Sequence, residues 1–142
     1  MTPGAGFDTS GMVFTEAEFE YLSRQRLGRL ATVSADGVVQ NNPVNFFLDD
    51  GVIVIGGHAL GASKKFRNVL RGSSVAFVVD DLASVDPWVV RGIEIRGTAA
   101  ALTDVEPPVP FFSREVIRIA PARIISWGID GPRASRAVRR PH

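Results

Sequence analysis

Residues 29–56 read RLATVSADGVVQNNPVNFFLDDGVIVIG. Three runs rich in β-branched and aromatic residues, Arg29–Ser34, Val38–Leu48 and Val52–Gly56, are separated by the turn signals Asp36-Gly37 and Asp49-Asp50-Gly51. Such spacing specifies an antiparallel meander, because Asp-Gly pairs adopt the positive-φ conformations that tight hairpin turns require. Pro43 lies inside the second run and has no N–H for a ladder, so that strand is expected to be bulged or to lie at a sheet edge.

Working downstream, residues 63–71 read as a helix, with Phe66, Val69 and Leu70 on one face and Gly72 as its stop. Strands follow at Ser74–Asp80 and Val89–Leu102. In the second of these Ile93, Ile95, Gly97, Ala99 and Ala101 oppose Glu94, Arg96, Thr98 and Leu102, the alternation of a half-buried strand. A break at Pro107, Pro108 and Pro110 precedes a last β region, Val116–Trp127, interrupted by Pro121. Upstream, Thr15 and Glu18 have capping-box spacing, and Phe14 and Phe19 are placed for a hydrophobic staple. Six strands and two helices without βαβ repeats give a mainly β chain forming an antiparallel, closed or partly closed barrel. The domain is expected over residues 13–130, between a flexible leader (1–12) and a basic, disordered tail (131–142) containing Arg133, Arg136, Arg139 and Arg140.

At 142 residues and 45% hydrophobic content the chain is one domain with a real core. It has no cysteine, which excludes disulfides, thiolate metal sites and cysteine nucleophiles. A net charge of +1 argues against a broad nucleic-acid surface. The absence of a signal-peptide pattern or an apolar run of about 18–20 residues leads us to expect a cytoplasmic protein that meets neither membrane nor nucleic acid.

Chemistry concentrates in residues 56–68, GGHALGASKKFRN, a glycine-containing loop entering a helix. Lys64 and Lys65 occupy the first turn, where the helix dipole disfavours cations unless an anion is present. Ser63, Lys64, Lys65 and Arg67, with backbone at Gly57 and His58, could hold a phosphate; the alternative is solvated lysines on an exposed helix. His58 could be a catalytic base or a phosphate donor, or else a structural or solvated residue of the loop. Gln40, Asn41, Asn42 and Asn45 form a polar cluster unusual for a strand, suited either to the polar edge of a heterocycle or to mutual pairing. Trp88 and Trp127 could stack on such a ring or pack in the core. There is no P-loop, Gly-x-Ser-x-Gly elbow or histidine-rich metal motif, so no catalytic side chain and no metal ligand is assigned.

The chain resembles the pyridoxamine-phosphate-oxidase-like split-barrel family, in particular its actinobacterial branch that uses the deazaflavin coenzyme F420. The resemblance rests on FTEAE (14–18), RLGRLATV (26–33), Gly57-His58 with KKFRNV (64–69), VAFVVDD (75–81), Asp86-Pro87-Trp88, RGIEIRG (91–97), and Ile117-Arg118-Ile119 with ISWG (125–128). It implies a homodimer with cofactor sites at the interface. Ser63, Lys65 and Arg67 would contact phosphate, Thr32 and Asn42-Pro43-Val44 would border the ring, and Trp127 would come from the partner chain. The branch includes dehydrotetracycline reductases, which implies hydride transfer between F420 and a conjugated enone or quinone-like small molecule. Other members use FMN or bind haem-derived ligands, so an FMN enzyme and a non-catalytic binding protein are the alternatives. Many members have a helix before the last strand; here only a short Pro-rich link, Thr103 to Ser113, takes its place.

Overall fold

The structure is a computed structural model and describes residues 12–138. Helix α1 (Glu16–Ser23) precedes four strands, β1 (Leu27–Val33), β2 (Val39–Asn45), β3 (Phe47–Asp49) and β4 (Val52–Ile55). A 3-10 turn (Leu60–Ala62) and helix α2 (Lys64–Leu70) lead to β5 (Val75–Ser84), β6 (Val89–Thr103), β7 (Glu115–Trp127) and β8 (Ala134–Ala137). The strands pair antiparallel in the order β2-β1-β5-β6-β7-β4-β3, with β8 added on β7.

The described residues thus hold eight strands rather than six. One difference arises at Phe46, which divides the expected Val38–Leu48 run in two. Phe46 is buried and meets Phe77 edge to face at 5.2 Å, with Gly28 leaving room: a Cβ there would lie 2.2 Å from the Phe77 ring. β2 and β3 are opposite ends of the strand order, yet one residue joins them. The sheet must therefore curl until its ends meet, which is the split barrel. Its interior is filled by alternate residues, among them Leu30, Ile53, Phe77, Ile93, Ile95 and Ile117.

Pro43 resolves as an edge residue without a bulge: β2 pairs only with β1, in unbroken register from Leu27↔Asn45 to Val33↔Val39. The irregularity falls at Pro121, where Arg96 faces Arg123 and Gly97 faces Pro121, leaving Ala122 as the extra residue. This bulge divides β7. Its first half pairs with β4 through Ile117–Ile119 and its second half with β8 through Arg123–Ser126.

Strand β8 is the second correction, because it lies in the tail expected to be disordered. Arg136 carries it back to α1, donating to Glu18 Oε1 at 2.6 Å, Glu18 Oε2 at 2.7 Å and the Val13 carbonyl at 2.9 Å. Glu18 is also the capping-box residue, accepting from Thr15 N at 3.0 Å while its own N–H donates to Thr15 Oγ1 at 3.1 Å. The domain therefore extends beyond residue 130. Two helix-face expectations also change. Phe14 is buried but Phe19 is 51% exposed, so the staple does not bury both members, and Leu70 is 63% exposed while Asn68 takes the buried place beside Phe66 and Val69. The leader, apart from Met12, and the tail beyond Val138 lie outside the described residues.

Arg136→Ala should destabilise the domain by about 3 kcal/mol, because it leaves the Glu18 carboxylate, 1% exposed, without its cation. Urea unfolding measures this, and an unchanged midpoint would refute the anchoring role of β8.

Candidate functional site

After β4 the chain enters a loop held by the link that precedes β7. Ser113 donates from both N and Oγ to the Gly57 carbonyl, at 2.9 and 3.0 Å. Its Oγ accepts from Leu60 N at 3.2 Å, and Glu115 Oε1 accepts from Gly61 N at 2.9 Å. The link approaches closely because position 56 is glycine; a Cβ would sit 2.9 Å from the Phe112 ring. His58 stacks on Phe111 with ring centroids 5.6 Å apart and meets Phe112 edge-on at 5.4 Å. The short link is thus the wall that shapes the loop.

Ser63 ends the loop as the N-cap of α2, accepting from Phe66 N at 3.2 Å and donating to the Leu60 carbonyl at 2.6 Å. Its hydroxyl proton is committed to the loop. The next two lysines diverge. Lys65 enters a trough of about 350 Å³ along the edge of β2, lined also by Pro43, Val44, Asn45, Gly57 and His58. Lys64 and Arg67 instead border a separate hollow of about 340 Å³ with Ser34, Asp36 and Arg71, and Arg67 donates to the Ala62 carbonyl at 2.9 Å. The basic set of the sequence reading is divided by the helix, and Lys65 alone faces β2.

Lys65 makes no ion pair among the described residues, and partial burial pushes its ammonium below the ordinary lysine value. A half-desolvated, unpaired cation beside a glycine loop is electrostatically unfinished, and an anion in the trough would complete it. A second incomplete feature lies on the same face of β2 as Val44: Gln40 Oε1 and Asn42 Oδ1 are buried without hydrogen-bond partners. Buried acceptors left in this state cost roughly 1–3 kcal/mol each, which a ligand N–H or O–H would relieve. Neither residue lines the Lys65 trough: Gln40 is paired in register with Thr32 and Asn42 with Leu30, both buried, so the two acceptors face the barrel side of β2.

Thr32 and Trp127 lie elsewhere. Thr32 is buried under α2, where its Oγ1 accepts from Asn68 Nδ2 at 3.0 Å. Asn68 is a structural residue that sequence reasoning passed over; the interruption of an apolar helix face was its only signal. Trp127 packs on β6 at Gly92, where a Cβ would lie 2.6 Å from the indole and 2.9 Å from the Asp80 Cβ. It does not line the Lys65 trough of its own chain.

A larger cleft of about 700 Å³ opens between α1 and the β2–β3 junction, lined by Phe19, Arg24, Arg26, Asn45 and Phe47 among others. It shares Asn45 with the lysine trough. No sequence signal announced it, because its walls come from segments that only barrel closure brings together.

The antiparallel split barrel with Lys65 in a trough beside β2 defines the class by its fold, and sequence comparison specifies the family. Residues 14–134 match the pyridoxamine 5'-phosphate oxidase family, and the chain belongs to that family. It is 50% identical over 123 residues to a 5a,11a-dehydrotetracycline/5a,11a-dehydrooxytetracycline reductase from Streptomyces rimosus, covering 84% of this chain and 87% of the relative. Among solved structures it is similar to a conserved hypothetical protein from Mycobacterium tuberculosis, with a TM-score of 0.65, 23% identity, and coverage of 83% of this chain and 87% of the other. A heme-binding protein from Mycobacterium smegmatis superposes with a TM-score of 0.65 at 16% identity, over 82% of this chain and 54% of that longer chain. These structural likenesses support the shared fold. No helix among the described residues is long and apolar enough to cross a membrane.

The Lys65 ammonium has a direct test in the ligand-free protein. With its pKa lowered in the folded state, the charged form opposes folding at neutral pH, and this penalty is relieved as pH rises through the lowered value toward the unfolded one. Lys65→Ala should therefore leave stability at pH 7 unchanged or raise it by about a few tenths of a kcal/mol. A loss above about 1 kcal/mol in thermal or urea unfolding would assign Lys65 to the fold instead.

Proposed function

We propose that this chain is an oxidoreductase that uses coenzyme F420 to reduce a conjugated enone or quinone-like small molecule. The observation that carries the reading is the unpaired, half-buried Lys65 ammonium in the trough along the β2 edge. The relative named as a dehydrotetracycline reductase supports the reaction type, and the family resemblance supports the choice of a deazaflavin.

The residues present fit such a group. Lys65 and the free N–H groups of the first turn of α2 would hold a phosphate in the trough; Gln40 and Asn42, on the barrel side of β2, carry buried acceptors without partners that the N–H groups of a ring would satisfy if it reached them. When bound, the reduced group supplies a hydride to the electron-poor carbon of a conjugated double bond. The protein's own work is then orientation and exclusion of water. Pro43 and Val44 present an apolar wall, and the stacked His58 and Phe111 rim the loop. Hydride acceptance by such a bond needs no obligate side-chain acid, since the enolate formed can take its proton from a substrate hydroxyl or from solvent once the site opens.

The reading includes a homodimer with cofactor sites between subunits. Leu82, Val85, Trp88, Val89 and Val90 at the β5–β6 hairpin are exposed apolar residues that a second copy would cover. Trp127, absent from its own chain's trough, would reach a cofactor only across such an interface. Light scattering should give a dimer at micromolar concentration, and a monomer would remove the interface part of the proposal.

Side-by-side fluorescence titrations should show tighter binding of F420 than of FMN, and equal or stronger FMN binding would replace the deazaflavin by a flavin. Lys65→Ala should weaken F420 binding tenfold to hundredfold, about 1.5–3 kcal/mol, with a smaller effect at high salt. An affinity within twofold of the parent would overturn the phosphate assignment. Failure of reduced F420 to turn over with a panel of enones and quinones would favour a binding protein.

A further inference from the structure

The surroundings of the Lys65 trough limit how much negative charge it can hold. We propose that the trough is built for a phosphate carrying one negative charge, a phosphodiester, and that Glu115, behind the loop, discriminates against the doubly charged monoester. This rests on the reading of the trough as the phosphate site of a cofactor and names the kind of ester that the site accepts.

Positive charge is scarce in the trough. Lys65 is the only lysine or arginine that lines it, and no Asp or Glu does. Lys64 and Arg67 border the hollow on the other side of α2, where Arg67 is bonded to the Ala62 carbonyl. Neutral donors are scarce as well. Leu60 N donates to Ser113 Oγ at 3.2 Å and Gly61 N to Glu115 Oε1 at 2.9 Å. Ala62 N and Ser63 N donate to the Ala59 and Leu60 carbonyls, and the Ser63 hydroxyl also donates to Leu60. Four consecutive N–H groups of the loop are thus committed within the protein and cannot supply the additional hydrogen bonds that a dianion requires.

The loop also carries a carboxylate at its back. Glu115 approaches Gly61 so closely that a Cβ there would lie 2.9 Å from the carboxylate carbon. Gly61 stands between Leu60 and Ser63, both of which line the trough, and Glu115 makes no ion pair among the described residues. Its negative charge therefore reaches the trough without a cation of its own.

Desolvating an ion costs free energy in proportion to the square of its charge, whereas attraction to one ammonium grows only in proportion to the charge. Lys65 balances the first charge of a phosphate, and a second one meets only the repulsion of Glu115. A monoester carries close to two charges above its second pKa of about 6, and a diester carries one. The same field acts twice as strongly on the dianion, so a change at Glu115 alters monoester binding by the square of the factor seen for the diester.

The test uses the whole chain and two ligands that share one deazaflavin ring and ribityl chain, one ending in a phosphate monoester and the other in its methyl diester. Titrations at pH 8 followed by deazaflavin fluorescence should show the diester bound about fivefold more tightly or better. Glu115→Gln keeps an oxygen for Gly61 N, so the thermal midpoint should not move. The same variant should tighten the monoester about tenfold and the diester only about threefold, with both gains shrinking at high salt. Lys65→Ala should weaken both. Equal or tighter binding of the monoester by the parent, or equal changes for the two esters in Glu115→Gln, would overturn the proposal and leave the phosphate site in place. Binding of neither ester, or binding of both that Lys65→Ala leaves unaltered, would remove the phosphate assignment and the proposal with it.

Discussion

The edge-to-face contact of Phe46 with Phe77 closes the barrel, and the rest of the structure is arranged around the seam it creates. Strands β2 and β3 would form one long ribbon if Phe46 continued the alternation of its neighbours. Instead it turns inward, against a ring that reaches it only because position 28 has no side chain. The chain crosses from one end of the sheet to the other in a single residue, so the ends lie together without a shared hydrogen-bond ladder. That arrangement leaves β2 with an open edge inside a closed shape. The lysine trough runs along this edge, and the larger cleft begins where β2 gives way to β3.

On the far side of the sheet, one strand serves two neighbours in turn. β7 passes from β4 to β8 at the Pro121–Ala122 bulge, and Gly97 is what permits it, since a Cβ there would stand 2.1 Å from the Ala120 carbonyl oxygen. With β4 occupying the first half of β7, the loop that follows β4 is brought beside Ser113 and Glu115, which fix its backbone. With β8 occupying the second half, Arg136 reaches Glu18 and anchors α1, the helix that forms one wall of the cleft. A second polar contact reinforces this: Tyr21 Oη donates to Asp81 Oδ1 at 2.8 Å, and Arg91 pairs with both carboxylate oxygens. Both walls of the candidate site therefore depend on how β7 is shared.

Local signals were legible in the sequence where local chemistry decided the outcome. The Thr15–Glu18 capping box, the turn at Asp36-Gly37 and the edge character of Pro43 all follow from residue type and spacing, and each is present. Long-range partners were not legible. Arg136 looked like one of several tail arginines because its partner lies 118 positions away, and no periodicity encodes that distance. The division of Lys65 from Lys64 and Arg67 was hidden for a related reason. Three cations within four residues look like one cluster in a sequence, but successive helix positions point about 100° apart, so α2 assigns them to different sides. The cleft at Arg26 was least visible, being made by barrel closure rather than by any segment.

An open strand edge is ordinarily a hazard, because its unpaired N–H and C=O groups can recruit another chain. Here the same residues address both the hazard and the chemistry. Pro43 removes an N–H while the ladder to β1 continues in register, so the missing donor falls on the open side of β2. Lys65 places a positive charge beside that strand, which opposes docking of a second strand. Replacing Pro43 or Lys65 with strand-forming apolar residues would improve the local fit to a sheet and invite edge-to-edge pairing. The polar, proline-interrupted character of residues 40–45, unfavourable for a strand considered alone, suits a strand that pairs on one side only.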